Sequence, residues 1–128
     1  MPSPDDPNGS VSPFRPLSSR ETALLARLFE ASFPGREALV EQASRCTARR
    51  LDANGSLEFS SPHNPQATVD QRIPAEAEVE DEDGVTVHVL LHVLDGTLNE
   101  LEIFREDSGL LHGEIDPARL RLLMLWRA

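Results

Sequence analysis

Two Asp-Gly pairs, Asp83-Gly84 and Asp95-Gly96, interrupt a stretch in which apolar and charged residues alternate. This arrangement constrains the fold more than any other feature of the chain. Ile73, Ala75, Ala77 and Val79 alternate with Pro74, Glu76, Glu78 and Glu80, and a period of two marks a strand with one face buried. Pro74 suits a strand start or an edge, because it has no N–H for the ladder. Read as type I turns closed by a glycine bulge, the two pairs leave three residues in each loop. Asp81 then faces Val85, and Val93 faces Thr97. Further out, Val79, Val87 and Ile103 align across three strands, as do Ala77, Val89 and Leu101. The opposite face aligns Glu78, His88 and Glu102. A two-residue turn would set Val89 beside Glu102 and mix the faces, so the pattern favours the bulged register.

Upstream the punctuation is helical. Residues 1–14 combine Pro, Ser, Gly, Asn and Asp with little apolar content and read as a disordered lead-in. Ser18 followed by Glu21 is a capping-box pattern. Leu24, Leu25, Leu28 and Phe29 then repeat at helical spacing, and Phe33-Pro34-Gly35 ends this helix because a residue before proline is pushed out of the α region. A shorter second helix follows, with Leu39, Val40 and Ala43 as its buried side. Thr47 to Leu51 and Ser56 to Ser60 flank Asp52-Ala53-Asn54-Gly55, whose Asn-Gly pair supplies the positive φ of a hairpin turn. Residues 61–70 read as a loop.

Near the C-terminus, Asp116-Pro117 is an N-cap followed by proline at the first helical position. Residues 119–127 are expected to form a short docked helix, with a final strand as the alternative. The expected architecture is α+β: residues 15–128 form one domain in which two N-terminal helices pack on one face of a four- to five-stranded antiparallel meander sheet.

Charge is unevenly spread. The formal net charge is −10; residues 15–50 hold seven arginines against four glutamates, whereas residues 76–116 hold thirteen acids against Arg105 alone. Phosphate binding needs a clustered cationic surface, so direct nucleic-acid binding is not expected. An acidic sheet fits a basic protein partner or plain solubility, the commoner reason for such a balance. All 12 basic residues are arginine, and there is no lysine or tyrosine. Lysine Schiff-base chemistry, a P-loop lysine and tyrosine general acids are thereby excluded. No run approaches the ~20 apolar residues of a membrane span, the N-terminus lacks the layout of a signal peptide, and Cys46 is alone. A cytoplasmic location is expected.

Polar chemistry gathers in one place. His88 between Glu78 and Glu102 could hold a divalent metal or serve as an acid–base pair; the plainer reading is a cross-strand charge ladder. Strand spacing of ~4.8 Å leaves flanking carboxylates poorly convergent on one ion, so neither a metal nor a cofactor is assigned. His92 lies on the same face beside Pro74 and Leu98, ~13 Å from His88 along the strand and too far to share a metal with it. Glu76, Glu80, Leu90, His92, Glu100 and Phe104 form the candidate partner surface. Leu90, Leu94, Leu98 and Phe104 on this face are covered either by Leu122, Leu123, Leu125 and Trp126 or by a partner, a homodimer being one version. His63 and His112 have no visible partner. Cys46, near Arg45, Arg49 and Arg50, is either a reactive thiol or a buried structural one. Asp81-Glu82-Asp83-Gly84 lacks the spaced ligands of a calcium loop and reads as a charged turn.

The run Val87-His88-Val89-Leu90-Leu91-His92-Val93, then Asp95-Gly96, then Glu100-Leu101-Glu102-Ile103-Phe104-Arg105-Glu106-Asp107, resembles a family of small uncharacterised bacterial proteins. So do the helix start Arg15-Pro16-Leu17-Ser18-Ser19-Arg20-Glu21 and the Phe-Pro-Gly break. The similarity spans about residues 15–118. Its motifs are structural punctuation, and a family of unknown function implies no active-site residue. The chain departs from the family's cysteine-glycine-rich turn at Asp52-Ala53-Asn54-Gly55.

The leading functional expectation is a small acidic protein-binding module, with an immunity- or inhibitor-like role as one version. A metal-binding or hydrolytic enzyme using Glu78, His88 and Glu102 is the alternative. Nucleic-acid mimicry by the carboxylates of residues 76–107 is a third.

Overall fold

The computed structural model describes residues 12–61 and 65–123. Helices α1 (Ser19–Leu28) and α2 (Arg36–Ala43) precede strands β1 (Thr47–Arg50), β2 (Leu57–Ser60), β3 (Ala75–Glu80), β4 (Thr86–Leu94) and β5 (Thr97–Arg105). A 3-10 turn, Pro117–Arg119, then leads into β6 (Arg121–Leu122). The strands form one antiparallel sheet of order β1-β2-β5-β4-β3-β6. The class is α+β, but the sheet has six strands rather than four or five. Among the described residues, the expected C-terminal helix gives way to the single 3-10 turn and, as in the alternative, a strand: Leu122 pairs with Ala77 and Arg121 with Glu78, while residues 124–127 lie outside the described residues. Leu125, Trp126 and His63 lie outside the described residues, as does the tail up to residue 11. Phe14, expected in the tail, lies with its ring 4.4 Å beneath the Arg49 guanidinium.

The helix start at Ser18 follows the sequence. Ser18 Oγ accepts the Glu21 N–H at 3.1 Å, and Glu21 Oε1 accepts the Ser18 N–H at 2.8 Å. The helix ends at Leu28 rather than at Phe33. Phe33-Pro34-Gly35 instead forms the turn into α2, where Gly35 is the N-cap at φ +88°. A Cβ there would sit 2.9 Å from the Thr68 carbonyl oxygen, so no other residue fits without a shift. The buried side of α2 is Leu39 and Gln42; Val40, expected inside, is 45% exposed.

The two Asp-Gly hairpins turn out to differ. In the first, Asp81 N–H donates to the Val85 carbonyl at 2.8 Å and Gly84 has φ +90°, the three-residue bulged loop the sequence predicts. Val79 therefore faces Val87, and Ala77 faces Val89. The second hairpin closes with two residues: Leu94 pairs with Thr97, and both Asp95 (φ 52°) and Gly96 (φ 74°) are left-handed. Such a turn matches the twist of the flanking strands. A bulge follows, with Val93 opposite Leu98 but His92 opposite Glu100, so Asn99 is the extra residue. The bulge restores the faces and slides β5 by two residues from the expected register. Val89 faces Ile103, and Leu91 faces Leu101.

Two effects favour this solution. Leu98 moves off the acidic face into the core, where it is 2% exposed. Gln42 then fastens the turn: its Oε1 accepts the Leu98 N–H at 2.8 Å, and its Nε2 donates to the Gly96 and Pro65 carbonyls at 2.9 and 2.7 Å.

Leu24, Leu25 and Leu28 of α1 and Leu39 of α2 pack with Ala77, Val89, Leu91, Leu101 and Ile103 on one sheet face, each large aliphatic contributing roughly 1.5–3 kcal/mol by burial. Ile115 and Leu120 join this core. Arg20 Nε donates to the Ile115 carbonyl at 3.0 Å, and Arg27 donates to the Leu120 carbonyl through Nη2 at 2.8 Å, strapping the C-terminal segment to α1. Among the described residues no helix is long and apolar enough to cross a membrane, and none lies over the opposite sheet face.

Candidate functional site

The sheet face opposite the helices is ordered by strand register into cross-strand rows. Glu76, Leu90 and Glu102 form one row and Glu78, His88 and Phe104 the next, while His92 faces Glu100. β2 adds Glu58 beside Glu100, with Arg49 beyond it at 2.8 Å, and β6 adds Arg121 beside Glu78.

The structure splits the expected Glu78-His88-Glu102 cluster. The two-residue slide of β5 puts Phe104 opposite His88, and the two rings stack with centroids 5.0 Å apart. Glu106 Oε1 lies 2.9 Å from His88 Nε2, while Glu78 Oε2 stands 3.9 Å from Nδ1. Glu102 belongs instead to His92, with Oε1 2.8 Å from Nε2. His92 Nδ1 is buried with no hydrogen-bond partner in the structure. Glu78 and Glu106 thus approach opposite nitrogens of one imidazole and do not converge on a common point beside it. Glu106, the closest carboxylate to His88, was missed because the wrong register carried it past the strand end.

Arg121 forks Glu80, Nη1 to Oε1 and Nη2 to Oε2 both at 2.7 Å, and reaches Glu78 at 3.5 Å. This hydrogen bond holds the Glu80 carboxyl below its ordinary pKa. Glu76 and Glu100 have no cationic partner among the described residues. Between the carboxylates stand half-buried Leu90 and the exposed Leu94 and Phe104, at 46% and 36% exposure. Leu122 and Leu123 sit at the β3 edge rather than over this face. Leu90 and Phe104 are thus diagonal neighbours across β4 and β5, Leu94 stands beyond His92, and acids flank them, two without a cationic partner among the described residues.

A second cluster, which the sequence reading missed, lies at the end of the core face. Arg105 continues the buried alternation of Leu101 and Ile103 opposite Val87, and its side chain is 4% exposed. Its guanidinium donates to Asp81 at 2.7 Å, to Asp83 at 2.9 Å through two nitrogens, and to Asp107 at 3.0 and 2.7 Å. Burial raises the Asp81 pKa, but the amides of His112, Glu82 and Gly113 together with Arg105 outweigh it, holding the pKa at about 2. Hydrogen bonds from Arg105 likewise hold Asp83 and Asp107 low, and donating to Asp107, Asp83 and Asp81 raises Arg105. His112 Nδ1 lies 3.6 Å from Asp83, so it does have a partner. Asp81, Asp83 and His112 come within ligating reach of one another, but both carboxylates are engaged by Arg105. The cluster is an ionic lock joining the Asp83-Gly84 turn to the end of β5. An arginine in register with core residues, with three aspartates within two residues of a turn or strand end, was the signal that could have found it.

Cys46 is buried, its Sγ 3.5 Å from the Ala43 carbonyl, and burial pushes its pKa up. That is the environment of a structural thiol, not a reactive one.

Residues 14–113 match the family described as a domain of unknown function (DUF6984), and the chain belongs to that family. The 3-10 turn and β6 lie beyond the matched residues. No curated protein and no solved structure matches the chain.

Proposed function

We propose that this domain is a cytoplasmic protein-binding module that receives a basic partner on the sheet face opposite its helices. The observation that carries this reading is the set of apolar side chains Leu90 and Phe104, with Leu94 beyond His92, flanked by Glu76 and Glu100, neither of which has a cationic partner among the described residues. Apolar side chains supply desolvated contact area, while unpaired carboxylates favour arginine or lysine from the other side. The acidic field mainly speeds encounter. An immunity- or inhibitor-like role against a basic protein is the concrete version this chemistry suits.

The enzyme alternative has less behind it. A metal would need His88 and two carboxylates to converge, whereas Glu78 and Glu106 lie at different nitrogens and Glu102 pairs with His92. Nucleic-acid mimicry would use the same carboxylates but gives no role to the apolar side chains.

The test compares capture from the native host by the wild-type chain, by a Glu100→Arg/Glu106→Arg variant, and by a Glu37→Arg control on exposed α2. Loss of the same bound protein in the face variant alone supports the reading. Equal capture by all three removes it.

A further inference from the structure

We propose that the β3 edge, with the cavity beside it, is a docking site for an extended peptide segment of alternating arginine and aliphatic residues, and that this chain's own residues 120–123 are its resident occupant. The edge adjoins the sheet face through Glu78 and Glu80, but its main-chain pairing is its own, and it stands whether or not that face binds a partner.

β6 is two residues long against six in β3. It is held by the pairs Ala77 with Leu122 and Glu78 with Arg121, and by the Leu123 N–H donating to the Glu76 carbonyl at 2.9 Å. These are the contacts of strand addition: main-chain bonds give affinity and alternate side chains give specificity. Both side chains of β6 read the edge. Arg121 turns to the acidic side and forks Glu80, while Leu122 turns inward and packs on the core. A strand so short forms few ladder bonds and belongs among the least stable elements of the fold.

Among the described residues, the resident segment leaves room. A cavity of about 260 Å³ adjoins it, walled by Phe33, Pro34, Pro74, Leu122 and Leu123, with Asp70 at the rim. The Asp70 carboxylate has no partner among the described residues, so a basic side chain entering the cavity would find both an apolar wall and a counter-charge. The β3 edge lies within the family-matched residues 14–113, whereas β6 lies beyond them. Arg27 holds the Leu120 carbonyl at the root of β6, so residues 121–123 can peel away while Leu120 stays anchored. A tethered occupant competes at roughly millimolar effective concentration, which masks the edge from weak ligands.

The probe is a synthetic peptide with the sequence of residues 116–123, titrated against the full-length chain and against full-length Leu122→Pro. Proline in β6 removes an N–H and disfavours the resident pairing. The variant is expected to bind the peptide at least about tenfold more tightly than wild type, and an Arg121→Glu peptide should bind neither. No binding to the variant, or equal binding of the Arg121→Glu peptide, overturns the proposal. Hydrogen exchange on the wild-type chain gives a reading that does not depend on the variant folding. The Leu123 amide should exchange at least about 100-fold faster than that of Val89 in β4, and equal protection overturns the proposal. A concentration-dependent dimer of the wild-type chain would assign the edge to a second copy and overturn it as well.

Discussion

The imidazole of His88 lies against the ring of Phe104, centroids 5.0 Å apart and planes inclined by 21°. This contact reports the register of the central hairpin, because Phe104 faces His88 only when β5 is slid by two residues and bulged at Asn99. A double-mutant cycle between His88→Ala and Phe104→Ala should give a coupling energy of about 0.5–1 kcal/mol, the range of cross-strand ring pairs. The corresponding cycle between His88 and Glu102 should be additive within about 0.3 kcal/mol. Coupling to Glu102 instead would reinstate the unslid register.

Arg105 should be the most sensitive charged residue in the chain. Arg105→Met leaves Asp81, Asp83 and Asp107 facing one another with no counter-charge, and Arg105→Lys cannot reproduce the fork. Thermal unfolding should show a Tm drop of more than about 5 °C for the methionine variant and a partial recovery for lysine. A full recovery by lysine would contradict the bidentate geometry.

The same lock sets an acid limit. Asp81 titrates at about 2 when folded, against an ordinary 3.8. A carboxyl whose pKa is depressed on folding contributes stability that is fully present above the unfolded value and lost as pH falls through the folded one. The Asp81 contribution should therefore be constant above about pH 4 and disappear between about pH 4 and pH 2. Chemical denaturation of Asp81→Asn across this window should give a flatter profile than wild type. Parallel profiles would show that Asp81 is not depressed.

Gln42 is a buried amide that fixes a turn far away in sequence. Gln42→Leu strands the Leu98 N–H and removes the donor to Gly96 and Pro65, at a cost of about 2–4 kcal/mol in unfolding free energy. Val40→Ala, on the exposed side of the same helix, should cost less than about 0.5 kcal/mol. Denaturant titration of the two variants distinguishes them.

The first hairpin and the segregation of faces were legible because Ala75, Ala77 and Val79 alternate strictly with glutamates and Gly84 marks its turn. The second register was not. A three-residue loop closed by its glycine and a two-residue loop followed by a strand bulge at Asn99 leave the same faces for most of β5, so alternation does not separate them. Leu98 was the distinguishing residue: it reaches the core only with the two-residue turn and the bulge at Asn99. The candidate site suffered from this directly, since His88 exchanged Glu102 for Phe104 and Glu106. Gln42 illustrates a different limit, because a polar residue on a helix gives no hint that a turn 54 residues away needs its amide.

Association kinetics bear most directly on the sheet face as a binding surface. With the protein captured by the wild-type chain in hand, its association rate should be measured between about 50 mM and 500 mM salt, conditions that shorten the screening length from roughly 14 Å to 4 Å. The rate should fall at least about tenfold, and Glu100→Arg/Glu106→Arg should lower it at low salt while barely changing it at high salt. A rate that stays flat across this range, for wild type and variant alike, would contradict an acidic face that draws in a basic partner.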